Sequence, residues 1–342
     1  MPSSLPYAFG TPPSTGKIKL EPEDFIVEEI LGFELTGEGE HVFLKVQKRG
    51  ENTDYLARQI AKYAGLPKMA VSYAGMKDRF GLTTQWFSVH IPGKREVDWG
   101  GLESATVSVL AAIRHNRKLK KGALKGNRFE ITVRELAGDA GLLEEKLNRV
   151  KAEGVPNYFG PQRFGREGNN LVQAEALFKG ELRLRDRNLE GIYLSAARSA
   201  IFNEVLARRV DAGLWDRAVD GDVFMFADSN SFFRAELNLE TLGRLAALEI
   251  HPSGPLWGKG IPATAGEALA IEVASAAEFP VLVEGLERMG MEAARRPLRL
   301  PVSGLEWELG VGHALRLGFA LPAGSYATVV LRELVGSLPD EV

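Results

Sequence analysis

The sequence predicts an α+β protein whose first part is built on a largely antiparallel sheet. Apolar residues alternate with period two in five early segments. The two helical stretches among them do not follow each strand in turn, as a parallel sheet would require. Past Gly154 the alternation gives way to loops rich in Gly, Asn and Arg and to helical spacing.

Each element follows from its own residues. Phe25-Ile26-Val27 opens the first strand. Val42, Leu44 and Val46 share a face of the second, and Phe87, Val89 and Ile91 a face of the third. Val107, Val109 and Ala111 do so in the fourth, and Phe129, Ile131 and Val133 in the fifth. A helix is predicted over 53–64, where Asn52 or Thr53 can cap it, Leu56 and Ile60 lie four apart, and Gly65 and Pro67 stop it. A second, over 140–153, turns Leu143, Leu147 and Val150 inward before Gly154. Ser195 then caps a helix that ends near Gly213, with further helices near 239–248 and 278–291. Leu315, Leu317 and Phe319 alternate again, and the run Leu321 to Tyr326 leads into a helix reaching Val335.

The 342 residues suggest about two domains. At 45% hydrophobic residues, each can bury a core. No apolar run approaches the ~18 residues of a membrane span. The stretch from Met1 to Gly16, rich in Pro and Ser, lacks the basic start and apolar run of a secretory signal and reads as an extended arm. With no Cys, the chain has no disulfide, thiolate nucleophile or Cys-based zinc site, which fits a cytoplasmic location. A net charge of −3 argues against indiscriminate nucleic-acid binding, but the charge is divided. Arg114 to Arg128 carries seven Lys/Arg and no acid, whereas Glu21 to Glu40 carries eight acids and no Lys/Arg. Separated fields let one face hold a polyanion while the whole stays soluble.

Several signals lead nowhere. Gly258-Lys259-Gly260-Ile261-Pro262-Ala263 fits a dinucleotide fingerprint, but Pro262 interrupts the helix start that the fingerprint needs. There is no P-loop and no nucleophile elbow. His41, His90, His115, His251 and His313 lack metal-ligand spacing, and no metal or other cofactor is implied.

The chemistry concentrates in Tyr73-Ala74-Gly75-Met76-Lys77-Asp78-Arg79, followed by Thr84-Gln85-Trp86. One carboxylate stands between two fixed cations, just after a Gly that permits an unusual backbone angle or a ligand's close approach. A Lys-Asp-Arg triplet is usually a solvated turn; the apolar and aromatic residues on both sides argue for a sheet edge instead. Two further unusual runs are Asn157-Tyr158-Phe159-Gly160-Pro161-Gln162-Arg163-Phe164-Gly165 and Leu194-Ser195-Ala196-Ala197-Arg198-Ser199-Ala200. Together the three resemble the TruD family of tRNA pseudouridine synthases, over nearly the whole chain.

That resemblance implies a discontinuous catalytic domain, 1–153 and 302–342, whose mixed sheet is completed by the returning chain. An inserted α/β domain, 154–301, would form the other wall of a cleft. It implies isomerisation of uridine to pseudouridine in tRNA, at position 13 of the D-arm, with Asp78 as the catalytic residue. Lys19, in a segment similar to the family's N-terminal motif, is the favoured cation for Asp78. Its role would be to keep a buried carboxylate charged, since burial and a nearby cation pull a carboxyl in opposite directions. Whether the Asp attacks the sugar, attacks the base or takes a proton stays open.

Phe25, Asn127, Phe129 and Tyr326 match the family's substrate-site positions. Aromatic rings suit an extruded base, and an amide suits the polar edge of uracil. Phe129 also alternates with Ile131 as an ordinary core residue would, and Asn127 after Gly126 also suits a turn. Lys77, Arg79, Arg117, Lys118, Lys120 and Lys121 are candidates for the RNA backbone. Gln162, Arg163 and Arg198 suit either phosphates or bracing of the domain junction. The chain departs from the family at Phe80-Gly81, Pro161 and Tyr326, where His-Ala, a variable residue and Phe are usual. A monomer is expected. The alternatives are a non-catalytic RNA-binding or RNA-chaperone protein on the same scaffold, or a synthase for another RNA.

Overall fold

The computed structural model describes residues 5–336 except 94, 228, 230 and 311, so the first four residues of the expected arm lie outside it. By packing, 15–137 with 303–324 form one compact unit, and the described parts of 1–14, 138–302 and 325–342 form another. The class is α+β, as the sequence predicts.

The first unit contains β1 (Ser14–Lys17), β2 (Phe25–Leu31), β3 (His41–Arg49), helix α1 (Thr53–Tyr63), β4 (Val71–Tyr73), β5 (Leu82–His90), β6 (Val107–His115) and β7 (Leu124–Gly138). The five predicted strands are β2, β3, β5, β6 and β7. Asn52 caps α1, its side chain accepting the N–H groups of Asp54 and Tyr55, which leaves Thr53 for other work. Leu56, Ala57 and Ile60 of α1 pack with Leu44, Val46, Phe87 and Val89 in one core. On the opposite face, Phe43, Trp86, Leu119 and Ala74 form a second.

The other unit opens with α2 (Ala140–Glu153) and β8 (Val155–Pro156), followed by α3 (Asn169–Lys179) and α4 (Arg187–Asp211). Next come β9 (Val223–Phe226), β10 (Phe232–Arg234), α5 (Leu239–Ala246), β11 (Ile250–Leu256), α6 (Gly266–Ala276), α7 (Pro280–Arg288), β12 (Ala294–Pro297) and β13 (Arg299–Leu300). Its main sheet has the order β10-β9-β11-β12, antiparallel at each pairing. Two helices, α3 and α6, were not anticipated. Nor does Ser195 cap α4: the helix starts eight residues earlier, where the Asp186 carboxylate accepts the N–H groups of Asn188 and Leu189.

The chain then returns to the first unit as β14 (Ser303–Gly310) and β15 (Ala314–Pro322), before α8 (Ala327–Leu334) and β16 (Val335–Gly336) close the second. The sheet order in the first unit is β14-β15-β7-β2-β5-β3-β6, with β4 pairing residues 87–89 of β5 and β2 pairing residues 82–84. Along this order and between β4 and β5 the strands pair antiparallel, but for β2 beside β5. The packing units divide the chain differently from 1–153 with 302–342 and 154–301. Leu143, Leu147 and Val150 of α2 are buried, and α2 packs against α8, so 138–153 and 325–336 lie with the 154–302 segment. The described part of the arm is packed against the second unit. Phe9 is buried edge-on to Trp215, and Glu333 accepts its N–H.

Candidate active site

The loop between β4 and β5 carries Asp78, whose two carboxylate oxygens and main-chain carbonyl each have their own anchor. One carboxylate oxygen is paired with the Lys19 ammonium. The other accepts the N–H of Phe80 at 2.9 Å. The main-chain carbonyl accepts from the Lys48 ammonium at 3.1 Å. The Lys19 and Asp78 side chains are only 14% and 18% exposed, so the pair is largely removed from water. Lys19 holds a left-handed φ of 59°, a conformation that costs a non-Gly residue on the order of 1–3 kcal/mol. Its ammonium also sits 4.4 Å from the centre of the Phe25 ring.

The loop's neighbours hold it from beneath. Directly opposed residues of a sheet share a face. Phe25, Val27 and Glu29 of β2 oppose Ile131, Phe129 and Asn127 of β7, and Val46 and Lys48 of β3 oppose Gln85 and Thr83 of β5. On this face the Lys77 ammonium meets the buried Glu29 carboxylate at 2.8 Å, and Glu29 accepts the Trp86 N–H at 2.7 Å. Burial pushes the Glu29 carboxyl up, against the pull of Lys77. Thr53, spared from capping, accepts the Lys77 N–H at 3.1 Å and donates to Gln85 at 2.8 Å.

Lys77 is thus turned into the protein, away from the role at the RNA backbone expected for it. Arg79 stays exposed, donating to the Gly50 carbonyl. The glycine requirement also moves. Gly75 has neither a left-handed φ nor a close neighbour, which leaves it as room beside the loop. At Gly81 an added Cβ would meet the Phe25 carbonyl oxygen at 2.6 Å, so the departure from Ala there lets the loop close onto β2.

Phe25 and Phe129 meet edge-on at 6.2 Å, and Phe129 stacks on Phe319 at 5.5 Å, all three buried. Phe129 therefore also has the core role that its alternation foretold. Asn127 has a buried side-chain oxygen with no hydrogen-bond partner among the described residues. Gly126 beside it is required: a Cβ would stand 2.2 Å from the Leu321 carbonyl oxygen.

The basic run forms β6, its exit loop and β7. Arg117, Lys118, Lys120 and Lys121 are exposed, while Leu119 is buried and donates its N–H to Ser88 at 3.1 Å. The Gly122 N–H donates to the Ala74 carbonyl at 2.8 Å, tying the basic loop to the segment that carries Asp78. Arg114 instead braces its surroundings, donating to the carbonyls of Gly39 and Arg95. The sheet also aligns His41 with His90 and His115, distant in sequence, and burial lowers the pKa of His41 and of His115.

Tyr326 lies in the other unit, at the N-cap of α8. Arg163 donates to its hydroxyl and to Ser195, each at 2.8 Å, and Phe159 meets its ring edge-on at 6.4 Å. Arg198 donates to the carbonyls of Leu256 and Glu292. Both arginines brace this unit from within; Gln162 is exposed.

A family model described as tRNA pseudouridine synthase D (TruD) matches residues 4–184 and 169–334. The chain belongs to the tRNA pseudouridine synthase D family. It is 54% identical to a tRNA pseudouridine synthase D of Methylococcus capsulatus over 97% of this chain and 94% of that one. It is 49% identical to one of Nitrosococcus oceani, over 97% and 93%. A crystal structure of a putative tRNA pseudouridine synthase D from Methanosarcina mazei superposes with a TM-score of 0.73 at 26% identity, covering 97% of this chain and 96% of that one.

Within this member of the tRNA pseudouridine synthase D family, the unit holding Asp78 also holds Lys19, Phe25, Asn127, Phe129 and the basic loop. The sequence motifs give no place at the site to Lys48, Glu29 or Thr53, whereas Gln85 stands in the run that follows the Asp78 motif. A signal for two of them existed. Lys48 continues the inward alternation of Val42, Leu44 and Val46, and Glu29 continues that of Phe25 and Val27. A charged residue in an apolar register is the mark of a buried polar contact.

Proposed function

We propose that this protein isomerises uridine to pseudouridine at position 13 in the D-arm of tRNA, with Asp78 as its one essential carboxylate. The observation that carries the reading is the three-way anchoring of Asp78, in a chain of this family. The N1–C1′ bond must break, the base must turn, and a C5–C1′ bond must form; C5 loses its hydrogen and N1 gains a proton, so the atoms balance. A carboxylate fixed in place serves any of the three routes: attack on the sugar, attack on the base or removal of a proton. Lys19, paired with one carboxylate oxygen, holds the group in its place.

Extrusion of the uridine costs a few kcal/mol. Stacking on an aromatic residue returns ~1–3 kcal/mol per base. Phe25, Phe129 and Tyr326 are the proposed aromatic contacts, and the unpartnered oxygen of Asn127 suits the N3–H of uracil. Arg79, Arg117, Lys118, Lys120 and Lys121 would hold phosphates, so binding weakens with salt. The proposal includes a monomer working in the cytoplasm, with a catalytic domain of 1–153 and 302–342 interrupted by 154–301.

The test is to incubate unmodified tRNA bearing uridine at position 13 with wild type and Asp78→Asn and to map pseudouridine at every position. Conversion at position 13 by wild type alone is expected, with tRNA affinity retained in the variant. Turnover by Asp78→Asn near the wild-type rate overturns the role of Asp78. Tight binding without conversion by either protein favours the RNA-binding alternative, and conversion at another position assigns another target.

A further inference from the structure

We propose that Lys48 is a positioning residue for Asp78: from the interior of the sheet it holds the main chain of the catalytic loop and so sets where the carboxylate stands. The inference rests on the reading of Asp78 as the catalytic carboxylate.

Lys48 is the last inward-facing residue of β3. The three before it on that face, Val42, Leu44 and Val46, belong to the core shared with α1. Lys48 opposes Thr83 of β5 and is 0% exposed. An apolar side chain would continue the face at no electrostatic cost, whereas a buried ammonium costs several kcal/mol unless well compensated. Its compensation is specific. The ammonium donates to the carbonyl of Glu51 at 2.7 Å and to that of Asp78 at 3.1 Å. Both acceptors are main-chain atoms of loops, one closing the turn after β3 and the other at Asp78 itself.

The geometry divides the labour around Asp78. Lys19 pairs with a carboxylate oxygen. Lys48 does not touch the carboxylate in this arrangement; it fixes the peptide behind it to a central strand. Only a long side chain with several donors can reach two carbonyls from this depth. The charged groups around it are Asp78, Glu51, Lys77 and Glu29, and burial outweighs their net attraction, lowering the ammonium's pKa to about 8. A hydrogen bond from a charged donor is stronger than one from a neutral amine, so the hold slackens as the proton leaves.

The experiment compares wild type, Lys48→Met, Lys48→Gln and Asp78→Asn on unmodified tRNA, with circular dichroism to confirm folding. Misplacement of a reacting group by an ångström can cost 10²-fold, so Lys48→Met should lower kcat by roughly that factor, while the tRNA Kd changes by less than about threefold. Lys48→Gln, able to serve one carbonyl, should fall between. In wild type kcat should decline above about pH 8, and that decline should vanish in both variants. Wild-type kcat in Lys48→Met overturns the inference, as does a loss confined to Kd. Should Lys48→Met not fold, an unchanged alkaline decline in Lys48→Gln overturns it. If Asp78→Asn still converts uridine, the catalytic reading fails and this inference with it. If Asp78→Asn is inactive and Lys48→Met is normal, only the inference fails.

Discussion

Asp78 is held at two separate points, its carboxylate and its main-chain carbonyl, by different lysines. Lys19 is bent into a left-handed conformation to reach the carboxylate, and Lys48 is buried to reach the carbonyl. The burial of Lys48 makes a prediction about stability that runs opposite to the one about rate. In the unfolded chain a lysine keeps its proton to a pH of about 10.4. In the folded protein Lys48 gives it up at about 8. Between those values the unfolded state binds more protons, so the contribution of this group to stability rises with pH. Thermal midpoints measured from pH 7 upward should show wild type gaining on Lys48→Met across that window, while its kcat declines. A midpoint difference that stays flat would mean Lys48 is not perturbed in the folded state.

At the scale of elements, the decisive pairing is between two loops. The basic loop after β6 is pinned by Leu119 in the core and by the Gly122 N–H on Ala74. Four exposed cations are thereby presented from a fixed backbone beside the loop that carries Asp78. Reversing the charge of Lys118, Lys120 and Lys121 together should raise the KM for tRNA and flatten its dependence on salt, since each phosphate contact contributes roughly 0.7–0.9 to the logarithmic salt slope. Titrating KM against KCl for both proteins checks this; parallel slopes would remove the loop from the RNA interface. The helices show the same dependence of an element on its neighbours. Thr53 would be an ordinary capping candidate in an isolated α1, yet Asn52 caps and Thr53 supports the catalytic loop.

For the whole molecule, the two packing units rely on different buried charge. The unit with Asp78 buries Lys48 and Glu29 near Asp78, with Lys77 largely covered beside Glu29. The other buries Arg209 against Asp222 and Arg295 against Glu272, far from Asp78 in sequence. Arg209 is held bidentately by Asp222, at 2.9 and 3.2 Å, and also donates to the carbonyls of Leu214 and Arg217. Removing one partner of such a pair strands the other, so Asp222→Ala should cost roughly 3–5 kcal/mol. Urea unfolding followed by tryptophan fluorescence would read this, Trp215 being buried in the same unit.

The sequence by itself determined the α+β class, the five early strands, the bounds of α2, the Asp78 motif and the basic run. All of these rest on residues close together in the chain, where periodicity, capping and charge are local properties. It did not determine that β2 runs parallel to β5, that α4 begins at Arg187, or that α2 and α8 pack together. Nor did it reveal that the loop's glycine requirement lies at Gly81, which is set by the carbonyl of Phe25 fifty-six residues earlier. Lys77 reads in sequence as a flanking cation for RNA, but a buried glutamate from another strand claims it. Lys48 reads as an ordinary strand end, and it is the tertiary fold that brings the Asp78 carbonyl to its ammonium. Burial and register arise from contacts between distant segments, and the value of a charge depends on what surrounds it once water is gone.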